Sequence, residues 1–182
     1  MKQPMTVLTS SESNEWYTPK EIIFRVRQVI GPIELDPASA SLPQRYIDAD
    51  RYYTIQDDGL SKPWEAWSLF LNPPYGKTGS KSNQDIWMTY LISQLSTVRE
   101  CIALTKTVPG YVWWDTLLRG KWPGEVCITE DRLSFVNSTG HTWDKSKAAS
   151  SLWYYGPHPD KFKSIFPQLG RVFDTGDKYR CR

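Results

Sequence analysis

Apolar positions along this chain fall into two patterns. Between Ile22 and Ile30 they recur at helical spacing, with Ile22, Ile23, Val26, Val29 and Ile30 on one stripe. Just upstream, Thr18-Pro19-Lys20-Glu21 reads as a helix start: Thr18 as N-cap, Pro19 at the first helical position, Glu21 completing a capping box. Gly31-Pro32 ends that helix, and Ile33-Glu34-Leu35 follows as a short strand running into Asp36-Pro37. Elsewhere apolar residues come in short, nearly continuous runs, at 68–71, 101–104, 125–128, 133–136 and 152–155. Runs of that length suit strands covered on both faces. Residues 85–98 read as a helix with Ile86, Trp87, Tyr90, Leu91, Leu95 and Val98 inward, and 160–166 as a last short helix. Residues 40–60 read as irregular and 76–84 as a polar loop. Strands alternating with helices predict an α/β fold, its central sheet mostly parallel, at least in the first half, and flanked by helices.

The chain of 182 residues is 40% hydrophobic and 23% charged, which suits a single domain and excludes collagen, coiled coil and a disordered tail. No apolar run approaches the ~20 residues of a membrane helix. Residues 1–15 are polar and lack the apolar core of a secretory leader, so an intracellular location is expected. Net charge is +2, unevenly spread: residues 1–91 hold 9 basic and 11 acidic side chains, residues 92–182 hold 13 and 9. That tilt hints at an anionic partner for the second half, and ordinary surface charge explains it equally well. Cys101, Cys127 and Cys181 form no C-x-x-C pair, and only His141 and His158 are available to help, so no metal is expected. Nine tryptophans supply core packing and enough flat surface to stack bases.

In an open parallel sheet ligands sit beyond the carboxyl ends of the strands. Three segments meet that rule: Asp36-Pro37-Ala38-Ser39, Asp57-Asp58-Gly59-Leu60 and Asn72-Pro73-Pro74-Tyr75. Paired prolines cannot continue a central ladder, so the chain leaves the sheet at Asn72. An asparagine, two prolines and an aromatic in that place suit methylation of a planar exocyclic amine. Such an amine is a poor nucleophile because its lone pair is delocalised into the ring. The Asn72 side-chain oxygen and the Pro73 carbonyl, at fixed angles, draw both N–H bonds out of the ring plane, and Tyr75 stacks on the ring. A sulfonium donor, S-adenosylmethionine, needs no metal, so the catalytic work is positioning and electrostatics.

The ordered set Trp16-Tyr17-Thr18-Pro19, Leu35-Asp36-Pro37-Ala38-Ser39, Asp57-Asp58-Gly59-Leu60 and Asn72-Pro73-Pro74-Tyr75-Gly76 resembles phage-type Dam DNA N6-adenine methyltransferases, over roughly residues 14–156. The resemblance implies a Rossmann-like S-adenosylmethionine-dependent methyltransferase fold in one domain over residues 1–182. Within it, 1–13 are expected to be flexible, about 106–150 to form a target-recognition insertion, and 171–182 to form a tail. It also implies roles. Trp16, Thr18 and Pro19 match the segment that touches the methionine part of the donor. Asp36, Pro37, Ala38 and Ser39 match the donor-binding turn, with Asp36 its acidic anchor. Asp58, Gly59 and Leu60 match the segment bracketing the donor's adenine, and Asn72, Pro73, Pro74 and Tyr75 match the catalytic motif. Two features depart from the pattern: Pro-Ala-Ser-Ala stands where most methyltransferases have a glycine-rich turn, and Thr105-Lys106-Thr107-Val108-Pro109 stands where relatives tend to read Leu-Pro-Ala-Arg. Asp48 and Asp50 compete for the donor's ribose.

The implied reaction is methyl transfer to N6 of an adenine flipped out of double-stranded DNA, with GATC the site suggested by the family, in the cytoplasm of a bacterial or phage-infected cell. Lys77, Lys81, Lys106, Arg119, Arg132, Lys145 and Lys147 are the expected DNA contacts, interleaved with Trp113, Trp114, Trp122 and Trp143; Lys121 adds to this basic stretch. His141 reads as a polar surface residue. The rival readings are an amine methyltransferase acting on protein glutamine or RNA, and a non-catalytic DNA-binding relative.

Overall fold

A computed structural model describes residues 17–136 and 148–175. The expectations for residues 1–13, Trp16, His141, Trp143, Lys145, Lys147 and Cys181 lie outside the described residues. The first helix, α1 (Lys20–Ile30), buries the expected stripe and stops at Gly31, whose φ of 74° suits glycine. It starts one residue later than the sequence pattern predicts. Pro19 is the N-cap, its carbonyl accepting from the Ile22 and Ile23 N–H groups at 3.0 and 3.2 Å, and no side chain caps the helix. Neither the Thr18 cap nor the capping box forms.

Then follow β1 (Leu35–Asp36), the short α2 (Gln44–Ile47), β2 (Arg51–Tyr52) and β3 (Ala66–Leu71). A hairpin of β4 (Lys77–Thr78) and β5 (Lys81–Ser82) leads into α3 (Asn83–Gln94), and β6 (Val98–Lys106) into α4 (Val112–Thr116). The chain closes with β7 (Glu125–Thr129), β8 (Ser150–Tyr155), α5 (Pro159–Ile165) and β9 (Gly170–Asp174). Seven strands form one sheet in the order β2-β1-β3-β6-β8-β7-β9. The pairs from β2 to β6 are parallel, and the pairs from β6 to β9 are antiparallel. Five of the seven strands therefore point one way, with β8 and β9 reversed.

Alternate residues of the central strands face opposite layers. Phe70, Ile102, Leu104, Leu152 and Tyr154 pack under α1 and α5, together with Phe162 and Phe166. Leu69, Leu71, Cys101, Ala103, Val126 and Trp153 pack under α3 and α4. The result is a helix–sheet–helix sandwich, as the apolar runs predict.

Several local expectations are corrected. Residues 133–136 are no strand: Val136 makes a lone antiparallel bridge to Tyr17, and Phe135 packs edge-on against Tyr75 at 5.9 Å. The helix predicted at 85–98 is α3, buried along Gln84, Met88 and Leu91, and Val98 already belongs to β6. In the stretch 106–150, β7 is a strand of the main sheet, and β9 occupies the start of the expected 171–182 tail. Trp114 and Trp122 are core residues, each edge-on to Trp153 at 6.0 and 6.1 Å, and so offer no face to a base. Cys101 and Cys127 are buried free thiols. Among the described residues no helix is long and apolar enough to cross a membrane.

Trp153 is fully buried, and its indole N–H donates to Thr105 Oγ1 at 2.8 Å. Trp153→Ala should therefore cost about 3–5 kcal/mol, whereas Phe24→Ser, on a 64% exposed side chain, should stay within about 0.5 kcal/mol. Urea denaturation of both variants reads the difference.

Candidate functional site

β1 and β3 are parallel neighbours, registered Leu35 opposite Leu69, so both deliver their following turns to one edge of the sheet. A cleft of about 490 Å³ opens there. Its lining takes Tyr17 and Thr18 from the entry to α1 and residues 36–40 from the turn after β1. It also takes Asp58 and Gly59 from the next loop and Asn72, Pro73, Pro74 and Tyr75 from the turn after β3. Four segments far apart in the chain thus meet around one space. Pro19 and Leu60, also expected at the donor, are not among the lining residues.

The turn after β1 is built around Asp36, which is 2% exposed. Its carboxylate accepts from Gln44 Nε2 at 2.9 Å and from the Ala38 N–H at 3.4 Å. Gln44 is held in turn, donating to Ser39 Oγ at 2.8 Å and accepting from the Ala49 N–H at 2.9 Å. Burial pushes the Asp36 carboxyl up to about 6, against the hydrogen bonds from Ser39, Ala38 and Gln44, which favour the charged form. Backbone bonds between Asp36, Ser39 and Tyr53 lash the turn to the chain beyond β2 at 2.8–3.0 Å. Tyr53, Thr54 and Ile55 consequently join the lining, a contribution that the irregular look of 40–60 conceals.

The two adjacent aspartates do different work. Asp57 Oδ2 accepts from the Thr54 N–H and hydroxyl at 2.8 and 2.7 Å, closing a turn, and these bonds hold its carboxyl below the usual range. Asp58, in the left-handed region at φ 50°, reaches the cleft instead. The lining carboxylates are therefore Asp36 and Asp58. Asp48 and Asp50, the expected rivals for a ribose, are absent from the lining. Asp48 is 84% exposed and sits 3.6 Å from Arg27.

Two features fit the donor the sequence implies. The Thr18 hydroxyl, on a residue 1% exposed, has no hydrogen-bond partner, and its residue lines the cleft. A buried orphan of this kind is costly unless a ligand completes it. Gly59 lies so close to the β1 turn that a Cβ would stand 2.1 Å from the Pro37 carbonyl oxygen and 3.1 Å from the Trp87 ring. That approach brings the second loop against the first and leaves room beside Trp87, itself a lining residue stacked on Trp64 at 5.8 Å. The residues present thus suit S-adenosylmethionine, and Thr18, Asp36 and Asp58 are the polar groups that would hold it.

The last turn is stiffened by Pro73 and Pro74, whose rings fix φ. Asn72 is half-buried and Tyr75 buried, both in the lining. Burial raises the Tyr75 phenol well above its ordinary value, so it stays neutral. Lys106, at the end of β6, holds its ammonium 4.4 Å from the centre of the Tyr75 ring, a cation–π contact. Of the expected DNA contacts, Lys77 and Lys81 are exposed on the β4–β5 hairpin that follows this turn, Lys106 adjoins Tyr75, and Arg119 and Arg132 are exposed outside the cleft lining. Asn83 and Trp87 of α3 are lining residues that sequence reasoning missed; a polar residue beside a polar loop carries no pattern to find.

No curated protein sequence matches the chain. Among solved structures it is similar to a Listeria monocytogenes protein assigned to the class I S-adenosylmethionine-dependent methyltransferases, at 10% identity and a TM-score of 0.45. That likeness covers 84% of this chain and 62% of the other, so the chain spans less than two thirds of that structure. A family profile described as DNA N-6-adenine-methyltransferase (Dam) matches residues 5–168, a stretch that contains every segment lining the cleft. The chain belongs to the Dam family of DNA N-6-adenine methyltransferases.

Proposed function

We propose that this cleft transfers a methyl group from S-adenosylmethionine to N6 of an adenine extruded from duplex DNA. The family supplies the donor and the acceptor class. The carrying observation is that the Asp36 turn, the Asp58-Gly59 loop and the Asn72–Tyr75 turn line one space at the carboxyl edge of the sheet. Thr18, Asp36 and Asp58 hold and orient the donor, Asp36 accepting from it in the ionised form. When bound, S-adenosylmethionine offers a methyl group activated by a positive sulfur. Asn72 Oδ1 and the Pro73 carbonyl accept the two N–H bonds of the adenine amine. They localise its lone pair, and the proline rings keep both acceptors from yielding. Tyr75 supplies a ring face for the base. An adenine inside a duplex cannot reach such a recess, so extrusion is required, and the exposed Lys77 and Lys81 lie beside the catalytic turn to hold phosphates. Arg119, Arg132 and the stretches flanking β7 are proposed as further DNA contacts, and GATC, from the family resemblance, as the site.

Labelled donor offered with duplex DNA, RNA and protein in turn should mark DNA alone; label in protein or RNA and none in DNA overturns the reading. Base-resolved mapping after expression in a methylation-deficient host should find N6-methyladenine at GATC. Asn72→Ala should lower kcat about 10²-fold or more while donor Kd is kept, because the lost acceptor faces the amine. An unchanged rate refutes the mechanism.

Asp36 also makes donor binding pH-dependent. The folded protein holds the carboxyl proton up to about 6, against an ordinary value of 3.8. It therefore binds that proton more tightly than the unfolded chain does. This group's contribution to stability falls as pH rises from about 4 to 6, and its full penalty, at most about 3 kcal/mol, is present above 6. Donor affinity should run the other way, dropping as pH falls through about 6. Asp36→Asn should be at least as stable as the wild type near pH 8 without donor, and should bind donor weakly with no pH step. Calorimetric titration and urea denaturation at several pH values check both.

A further inference from the structure

The two prolines fix only one end of the catalytic turn. Beyond them, Tyr75 and Gly76 have no such restraint, and Gly76 sits at φ 95°. One residue closes the other end. Asn83, the first residue of α3, donates from Nδ2 to the Tyr75 carbonyl at 3.1 Å and from its backbone N–H to the Gly76 carbonyl at 3.1 Å. Its Oδ1 accepts from the Thr78 hydroxyl at 2.7 Å. A single side chain thus joins the turn that presents Tyr75 to the hairpin that carries Lys77 and Lys81. The next residue fastens the opposite flank: Gln84, 4% exposed, accepts with Oε1 from the backbone N–H of Lys106, whose ammonium lies over the Tyr75 ring.

We propose that Asn83 is a positioning residue, coupling a DNA backbone held on the β4–β5 hairpin to the placement of the Tyr75 ring against the target base. This rests on the methyltransferase reading above. A hairpin of four ladder residues with exposed lysines is a weak element by itself. Phosphates binding to it order it, and through Thr78 and Asn83 that ordering reaches the Tyr75 carbonyl and so the ring. Asparagine suits the task because one amide offers the donor for Tyr75 and the acceptor for Thr78 together.

Asn83→Asp separates the two ties: the carboxylate keeps an acceptor for Thr78 and, when ionised, has no donor for the Tyr75 carbonyl. It should lower kcat on duplex DNA about tenfold to hundredfold, leave donor Kd within about twofold, and reduce the fluorescence gain of 2-aminopurine placed at the target position. Thr78→Val, which cuts the same path at the hairpin, should lower kcat on duplex DNA likewise and, by loosening the hairpin, also raise KM for DNA. A merely structural Asn83 predicts lower thermal stability with kcat on duplex DNA unchanged wherever the fold is intact, and that result overturns the proposal. So does wild-type kcat in Asn83→Asp. Independently of turnover, amide exchange across residues 75–82 should quicken about fivefold or more in Asn83→Asp, and unchanged exchange overturns the proposal. Wild-type protein that marks no DNA adenine, with the exchange effect present, counts against the function rather than against the tie.

Discussion

The parallel pairing of β1 with β3 is the constraint on which the site depends. It is short, with Leu35 opposite Leu69 as its one registered pair, yet it sets the Asp36 turn beside the Asn72 turn. Side chains reinforce what so few ladder bonds hold. The Glu34 N–H donates to the Ser68 carbonyl at 3.0 Å and to Ser68 Oγ at 3.1 Å, and Ser68 Oγ donates back to the Pro32 carbonyl. The Glu34 carboxylate accepts from the Trp67 N–H at 2.7 Å and from Arg51 at 3.3 Å. Strand β1 is thereby locked between its two parallel neighbours. Slippage by one residue would turn Asp36 away from the cleft and flip Leu35 out of the core.

On that frame the site divides into stiff and costly parts. The proline pair supplies stiffness without needing any partner, which is what the proposed acceptors, Asn72 Oδ1 and the Pro73 carbonyl, would need. The donor side is costly instead: a carboxylate buried with three neutral donors, a threonine hydroxyl with none, and a glycine pressed against a carbonyl. The carboxylate and the hydroxyl lower the stability of the ligand-free protein and are relieved by a ligand with complementary polar groups, whereas the glycine only permits the close approach of the two loops. In the proposed reading binding and folding therefore share Thr18 and Asp36, and removing the cost would remove the recognition.

What was legible in the sequence follows from how local each feature is. The α1 stripe and the runs at 68–71 and 101–104 show plainly, because burial on one or both faces writes itself into adjacent residues. The ordered motifs also show, since each sits on one turn. Edge elements do not: β2 is exposed along its length and β9 alternates half-buried with exposed positions, so neither carries an apolar run. Residues 133–136 mislead because their apolar character serves Tyr75 and the bridge to Tyr17 rather than a sheet. Thr18 misleads for a related reason. Its place before a helix looks like a cap, whereas the proline after it takes the cap and leaves the hydroxyl to the cleft.

The tryptophans make the same point about composition. A surplus of indoles beside basic residues suggests a stacking platform, but Trp114, Trp122 and Trp153 bury their rings against one another and spend their N–H groups inside the protein, on Ser151, the Tyr154 carbonyl and Thr105. Those bonds join α4 and its following turn to β6 and β8, under the half of the sheet where every pairing is antiparallel. At its edge β6 pairs in parallel with β3 and ends at Lys106, whose ammonium lies over the Tyr75 ring. Aromatic bulk in the core thus bears on the cleft indirectly, by fixing the strand that carries a cation to one of the aromatic rings in its lining.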